Sequence, residues 1–129
     1  MTMTSKVNRE MIDRYIEAYN AFDVAGMVQL LHQDIIFRNY ANGEMNTETK
    51  GVEAFRALAD QSAQIFSSRR QTIVGYYDAV NQVEVKIDYE GTIAADLPNG
   101  LKAGDQLQMV GKSVFRFTDG MISLIEDYS

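Results

Sequence analysis

The sequence contains no cysteine, no tryptophan, a single proline and a single histidine, His32. Without cysteine, both disulfide bonds and thiolate chemistry are excluded. One histidine argues against a histidine-based metal centre. The sequence also has no Gly-rich phosphate loop and no cluster of metal-ligating residues. We therefore expect neither a cofactor nor a bound metal.

Basic residues are also scarce. Twelve Lys and Arg stand against 18 Asp and Glu, which gives a net charge of -6, and Arg69-Arg70 is the only basic doublet. Such a surface repels a phosphate backbone. No stretch approaches the roughly 20 apolar residues of a membrane span, and residues 1–6 lack the apolar run of a signal peptide. We expect a cytoplasmic protein that binds neither nucleic acid nor membrane.

The composition is that of an ordinary globular domain. The chain has 129 residues, of which 46% are hydrophobic and 23% charged. This length is enough for one hydrophobic core but not for two. No internal repeat or low-complexity segment divides it. The sequence predicts a flexible N-terminal segment, 1–7, and a single domain, 8–129.

Hydrophobic periodicity predicts three helices and five strands. Apolar residues recur at helical spacing in the N-terminal part and alternate beyond Arg70. The stretch from Tyr40 to Lys50 has no periodicity, which predicts a loop. The expected helices are 8–22, 23–32 and 52–66, and the expected strands are 35–39, 71–80, 83–94, 106–118 and 121–128, with the last four antiparallel.

One predicted strand indicates where the core lies. Val83, Val85, Ile87 and Tyr89 alternate with charged residues, so one face of this strand is apolar and must pack against the helices. A bent sheet covered by helices on one side leaves a concave, apolar space, and small molecules usually bind in such places. The sequence therefore predicts an α+β fold that can hold an apolar pocket.

Several segments resemble the SnoaL-like branch of the nuclear transport factor 2-like superfamily, which includes ketosteroid isomerases, polyketide cyclases and limonene-type epoxide hydrolases. The resemblance extends over nearly the whole chain from Asn8 onward. It implies a cone-shaped, curved antiparallel sheet with three N-terminal helices enclosing an apolar pocket, the cystatin-like fold. The segments are RYIEAYNAFD (14–23), LLHQDIIF (30–37), GVEAF (51–55), VFRFTDGMI (114–122) and EDY (126–128).

This resemblance implies three catalytic positions. Tyr15 falls where ketosteroid isomerases have the tyrosine that donates a hydrogen bond to the steroid oxyanion. The carboxylate base of those isomerases falls on Asn39 and their second oxyanion donor on Ser113. Asn39 also falls on the water-positioning asparagine of the epoxide hydrolases, and Asp127 on the aspartate of their last strand. Neither set is complete here, whereas the polyketide cyclases resemble this chain in an apolar pocket with one acid/base carboxylate.

Each of these residues also has a structural interpretation. Asp127 on an apolar wall would have a raised pKa suited to a general acid or base, or it would stay solvated or pair with Arg38. The Tyr15 hydroxyl would donate into the pocket, or the ring would simply pack within its helix. Asn39 would orient a water or a substrate carbonyl, or cap the loop that follows.

Further candidates come from apolar and small residues on the expected inner face. Such residues can line a ligand pocket, but at this spacing they can equally be plain core. The expected substrate-binding residues are Phe37, Phe55, Val85, Ile87, Tyr89, Ser113, Phe115 and Ile125.

The function expected from this pattern is a cofactor-independent isomerase, cyclase or hydrolase that acts on a small apolar carbonyl or epoxide compound. Asp127 would be the acid or base, Tyr15 the hydrogen-bond donor, and Asn39 would position the water or substrate. The alternatives are a non-catalytic small-molecule pocket and an interaction module that uses the outer face of the sheet. Since members of this superfamily commonly pair through that face, which would carry Lys86 and Asp88, we expect a homodimer.

Overall fold

The computed structural model describes residues 3–129, which form three helices and six strands. The first two helices precede a pair of strands, and four longer strands follow the third helix. The elements are α1 (Met3–Asn20), α2 (Val24–Val28), β1 (Leu31–Ala41), β2 (Glu44–Lys50), α3 (Val52–Ala63), β3 (Phe66–Ala79), β4 (Gln82–Ile93), β5 (Gln106–Thr118) and β6 (Met121–Tyr128).

Helix α1 ends where the backbone reverses at Phe22. This residue has a φ of 59°, in the left-handed region that bulky side chains rarely adopt. The N–H of Asp23 donates back to the carbonyl of Ala18 at 2.9 Å, which closes the helix end. The Asp23 carboxylate accepts a hydrogen bond from the Gly26 N–H at 3.0 Å and caps α2. The two helices therefore meet at a sharp and well-bonded corner.

The six strands form one open sheet in the order β2-β1-β6-β5-β4-β3. β1 and β6 are parallel, and the other neighbouring pairs are antiparallel. Register irregularities occur between Ile73 and Gly75 in β3 and between Arg116 and Phe117 in β5. Bulges of this kind bend a strand and increase its twist, so these positions bend the sheet.

The helices cover one face of this sheet. α1 packs against β3, and α3 packs against β1 and β2. Ile12 of α1 and Phe55 of α3 belong to the same buried cluster as Val85 of β4 and Phe115 of β5. Full burial of such a side chain contributes roughly 1.5–3 kcal/mol, so this cluster is what holds the helices on the sheet.

The side-chain alternation predicted for β4 is confirmed. Val83, Val85 and Ile87 are 1%, 0% and 6% exposed, whereas Lys86 and Asp88 are exposed. The apolar side chains face the helices and the charged ones form the outer face, as the two-residue period of a strand requires.

The structure confirms the α+β class and the fold that the resemblance implies, with one parallel pair, β1 and β6, in an otherwise antiparallel sheet. The loop predicted from Tyr40 to Lys50 is wrong, because residues 44–50 form β2 at the edge of the sheet. The side chains of β2 are mostly exposed and polar. Hydrogen bonds with β1 define this strand, and hydrophobic periodicity cannot reveal them.

Several boundaries also differ from the prediction. α1 begins at Met3, so residues 3–7 of the segment expected to be flexible are helical, while residues 1 and 2 lie outside the described residues. α2 ends at Val28 rather than near His32, and α3 ends at Ala63, so that Phe66 begins β3. No helix between residues 3 and 129 is long and apolar enough to cross a bilayer.

Candidate functional site

A cavity of about 360 Å³ lies between the helices and the inner face of the sheet. This volume is within the range of roughly 300–1,000 Å³ that is typical of small-molecule sites. Nine of the residues that line it are purely apolar, and ten carry a polar group. These polar side chains belong to Tyr15, Tyr19, Asn39, Thr47, Ser62, Arg69, Gln71, Tyr89, Ser113 and Asp127.

Strand register places four of these polar residues in one row. Asp127 of β6 lies between Asn39 of β1 and Ser113 of β5, its two Cα partners. Thr47 of β2 lies opposite Asn39 on the other side. Paired positions on neighbouring strands point to the same face of a sheet. All four side chains therefore face the cavity from adjacent strands.

The Asp127 carboxylate is half-buried and has one close polar partner. The Ser113 hydroxyl donates to its Oδ1 at 2.6 Å. Burial raises the pKa of Asp127 from 3.8 to about 6, although the Ser113 hydrogen bond acts in the opposite direction. A carboxyl group with this pKa can exchange a proton in either direction near neutral pH.

The ion pair considered between Asp127 and Arg38 is absent from the described residues. Arg38 points to the other face, where Nε donates to Glu48 at 2.8 Å and a terminal nitrogen donates to Glu126 at 3.1 Å. Glu126 precedes Asp127 along β6, so the two carboxylates lie on opposite faces. The charge of Arg38 is thus satisfied without Asp127.

Tyr15 lines the cavity and is also part of the core. It is 5% exposed, and its ring packs against Phe55 and Phe115 with centroid distances of 6.5 and 5.7 Å. Within the described part of the chain its hydroxyl has no hydrogen-bond partner. Burial raises the pKa of this hydroxyl well above its ordinary value, and the negative charge of Asp127 raises it further. The group therefore stays protonated and can donate.

Asn39 lines the cavity, and its amide is partly engaged. Its Nδ2 donates to Asn46 Oδ1 of β2 at 3.0 Å. The amide carbonyl and one amide hydrogen remain for another partner. Asn39 lies within β1. The alternative in which it caps the following loop is therefore wrong.

The residues expected to bind substrate fall into two groups. Phe37, Phe55, Tyr89, Ser113 and Phe115 line the cavity. The other three do not line it. Val85 and Ile125 lie in the core, and Ile87 lines a smaller recess of about 170 Å³ on the side of Tyr89 and Asp127.

The sequence analysis missed a second polar group on the cavity wall. Arg69 of β3 is 6% exposed, and its guanidinium lies over the Tyr19 ring, 3.7 Å from the centroid. The Tyr19 and Tyr89 hydroxyls are 2.9 Å apart. Burial raises the pKa of both hydroxyls, so both keep their protons. In a pair of hydroxyls only one proton lies between the two oxygens, and the other is free to bind a ligand.

No group of three or more His, Cys, Asp or Glu side chains among the described residues is arranged to hold a metal ion. The charged groups on the cavity wall are Arg69 and Asp127. They belong to β3 and β6, which are separated by two other strands.

Comparison with known proteins gave a family match and many similar folds. A family model described as the SnoaL-like domain matches residues 12–125. A search of curated proteins found no significant match.

The solved structures that resemble this chain have low sequence identity, so they show the fold alone. A protein of Catenulispora acidiphila with a ketosteroid isomerase-like fold, in complex with trimethylamine, is 18% identical with a TM-score of 0.77, covering 93% of this chain and 85% of its own. A proposed polyketide cyclase from Xanthomonas campestris is 19% identical with a TM-score of 0.77, covering 96% and 90%. TerC, co-crystallised with polyporic acid, is 15% identical with a TM-score of 0.76, covering 94% and 89%.

Proposed function

The chain belongs to the SnoaL-like domain family, and from that premise we propose that it binds a small, mostly apolar molecule in its cavity and catalyses a cofactor-independent proton transfer there. Asp127 is the general acid or base, Tyr15 donates a hydrogen bond to the substrate oxygen, and Asn39 positions the substrate or a water. The substrate carries a carbonyl or an epoxide, and the reaction is an isomerisation, a cyclisation or a hydrolysis.

The observation that carries this proposal is the environment of Asp127. A carboxylate with a pKa of about 6 lies on the wall of the same cavity as the protonated hydroxyl of Tyr15. Perturbed groups in a concave site of this kind are typical of acid–base catalysis, which contributes roughly 10²–10⁴-fold to rate.

For a carbonyl substrate the chemistry is a proton abstraction. The Asp127 carboxylate removes a proton from the carbon next to the carbonyl, the electron pair of that C–H bond forms a C=C bond, and the π pair of the C=O bond moves onto the oxygen. The Tyr15 hydroxyl stabilises the resulting enolate by donating a hydrogen bond, and the buried rings around Tyr15 strengthen this interaction because they lower the local polarity. Asp127 then returns the proton to another atom of the product, so it ends in its starting form.

A non-catalytic binding protein is the second candidate. Two of the similar structures contain small molecules, trimethylamine and polyporic acid, so this fold can hold a small molecule. The two candidates share the cavity and differ in whether the bound molecule is converted to a product, with Asp127 required for that conversion. Loss of ligand conversion with retention of ligand binding in an Asp127 variant separates them.

We expect an apolar ketone to raise the melting temperature of this protein, while NAD and ATP do not. A ligand that binds only the folded state adds about 2.7 kcal/mol to stability at 100 times its dissociation constant. 2-Acetylnaphthalene is a suitable probe for a thermal-shift titration, because it combines a carbonyl with a body that the aromatic wall can contact. Stabilisation by nucleotides alone would contradict the proposal.

A variant that fills the cavity gives the control for this titration. Ala59 of α3 lines the cavity, and Ala59→Leu should abolish the stabilisation by the ketone. Ala57 is exposed on the same helix, so Ala57→Leu has the same change in volume but should leave the ketone effect intact. Equal ketone effects in the two variants would mean that the probe binds elsewhere.

We further propose that two copies of the chain pair through the outer face of the sheet. Val74 and Val110 are 58% and 77% exposed on this face, next to Lys86 and Asp88. Exposed valines among charges of both signs can pair with the same patch on a second copy. We expect light scattering to give about twice the chain mass of 14.5 kDa at micromolar concentration.

Val110→Glu should convert this dimer to a monomer, because it places a charge in the middle of the contact. Val80 is 92% exposed at the β3–β4 turn, away from the proposed contact, so Val80→Glu is the control that should remain dimeric. A wild-type mass of one chain would refute the dimer.

A further inference from the structure

Arg69 is the most unusual side chain on the cavity wall. It is 6% exposed, although arginine is almost never fully buried unless it is paired. Strand alternation explains its direction, because Gln71 and Ile73 face the helices with it while Arg70 and Thr72 are exposed on the other side. The sequence of β3 thus aims one arginine of the doublet into the cavity and the other toward solvent.

The position of Arg69 is fixed by the end of helix α1. Its Nε donates to the backbone carbonyl of Tyr19 at 3.1 Å. The guanidinium also lies over the rings of Tyr19 and Phe22, at 3.7 and 4.5 Å from their centroids. The left-handed backbone of Phe22 belongs to the turn that places this ring.

Two further hydrogen bonds hold the C-terminal end of α1 on β3. The Asn20 side chain accepts a hydrogen bond from the Gln71 N–H at 2.7 Å and donates one to the Gln71 carbonyl at 3.0 Å. With one guanidinium N–H bonded to Tyr19 of α1 and one aromatic ring in that helix and the other in the turn that follows it, Arg69 cannot move out to solvent without breaking these contacts. It is held in place for a partner in the cavity.

That partner is missing among the residues that the structure describes. The two terminal nitrogens of Arg69 make no hydrogen bond, and no carboxylate forms a salt bridge with it. Asp127 does not serve this purpose, because its pKa is set by burial and by Ser113. These terminal nitrogens are not fully enclosed by protein atoms, so an anion that enters the cavity can reach them and form a charge-assisted pair.

The chemistry of the missing partner follows from the guanidinium. Its free edge presents parallel N–H donors that match two oxygens of one carboxylate. The hydroxyl proton left free by the Tyr19–Tyr89 pair is a further donor on the same side of the cavity. The same cavity also has an apolar part of its wall, which includes Phe55, Phe66 and Met109.

We propose that the natural ligand is an amphipathic organic acid, whose anionic group pairs with Arg69 while its apolar body lies along the aromatic wall. This inference rests on the proposed function, since it concerns the same cavity, and it names the class of substrate. The acid group is bound at β3, and the reacting part of the molecule extends toward Asp127 on β6.

The test compares two probes of the same shape. 2-Naphthoic acid is ionised at pH 8, and 2-naphthamide is neutral. We expect isothermal titration calorimetry to show that the acid binds the wild-type protein at least about tenfold more tightly than the amide, as a charge-assisted pair replaces a neutral one. Equal affinities would overturn the proposal.

Substitutions at the arginine doublet show whether Arg69 causes this preference. Arg69→Met should remove the preference for the acid, and Arg69→Lys, which keeps the charge but loses the planar fork, should reduce it. Arg70→Met makes the same change on the exposed side and should behave as wild type. If Arg69→Met does not fold, the affinities of the acid and the amide for the wild type and for Arg69→Lys still test the role of Arg69. A full preference for the acid in either Arg69 variant would refute the role of Arg69.

Further outcomes separate this inference from the proposed function. If the amide binds as well as the acid, the cavity is a small-molecule site but not an acid site. If neither probe binds, both proposals fail. If inorganic phosphate competes with the acid at equal concentration, the site recognises any anion and the amphipathic ligand is wrong. An acid preference that depends on Arg69, together with unchanged turnover in an Asp127 variant, would support the ligand class and refute the catalytic mechanism.

Discussion

Replacing Asp127 with asparagine is expected to abolish turnover while leaving the folded protein as stable as the wild type, or more stable, at pH 7. The carboxylate is desolvated on the cavity wall, so ionising it in the folded state costs free energy that the unfolded chain does not lose. The difference between a pKa of 3.8 and one of about 6 corresponds to at most about 3 kcal/mol. Asparagine cannot ionise and avoids this cost.

The pH dependence of this effect has a definite sign. The folded state holds the Asp127 proton more tightly than the unfolded state, so this group lowers the free energy of unfolding as pH rises from about 4 to about 6. Below pH 4 both states are protonated and the cost vanishes. The stability advantage of Asp127→Asn should therefore increase between pH 4 and pH 6 and remain constant above that, as measured by denaturant melts of both proteins.

Glu126→Gln provides the matched control, because it makes the same change one residue earlier and on the opposite face. Glu126 accepts a hydrogen bond from Arg38 at 3.1 Å, and both side chains are partly exposed. We expect Glu126→Gln to lose about 1 kcal/mol or less and to keep turnover. A marked loss of stability in Asp127→Asn at pH 7 would mean that Asp127 is a structural residue, and the non-catalytic candidate would then be preferred.

Hydrophobic alternation predicts which side chains face the cavity only where a strand is long and its apolar residues alternate regularly. β4 alternates clearly, so its inward face follows from the sequence, whereas the positions of Ser113 and Asp127 in the pocket were implied by the resemblance. Their contact depends on the register between strands, which the resemblance implied and periodicity alone could not fix. The parallel pairing of β1 with β6 is likewise a tertiary feature that local sequence does not carry.

Sequence periodicity misses Arg69 for a related reason. Phe66 has helical spacing with Phe55, so the third helix was extended to it and β3 was expected to begin only at Gln71. The residues between them are Ser67, Ser68 and two arginines, which show no apolar alternation. Their pairing with β4 makes them a strand, and this pairing alone turns Arg69 inward. If the alternation of Gln71 and Ile73 is extended backward by one step, it reaches Arg69, so a signal was present.

Apolar residues of the inner face pose a different problem, because wall and core residues have the same sequence pattern. Phe37 and Ile125 are paired across β1 and β6, yet only Phe37 lines the cavity. Alternation gives the face on which a side chain lies, and the space above it depends on the side chains of α1 and α3. Substitution by alanine distinguishes the two cases, since core residues stabilise the protein and wall residues also contact ligand.

Ile125→Ala is expected to destabilise the protein by about 2–5 kcal/mol and to have the largest effect on stability of any change considered for this site. Ile125 is 1% exposed, and its strand neighbours are Phe37 on one side and Phe115 on the other. Removing its side chain loses buried apolar area and leaves a void that strands tied on both sides cannot close. Denaturant melts should therefore show a clear drop in unfolding free energy.

Two further variants turn this into a test of the boundary between core and cavity. Ile125→Val removes a single methylene and should lose only about 0.5–1.5 kcal/mol. Met109 lies on the cavity wall and is 45% exposed, so Met109→Ala should keep nearly full stability while weakening the binding of 2-naphthamide. Two results would show that the cavity wall has been assigned to the wrong residues. One is that Ile125→Ala unfolds like the wild type, and the other is that Met109→Ala loses as much stability as Ile125→Ala. Unchanged amide affinity in Met109→Ala would show that the ligand does not reach the β5 side of the cavity.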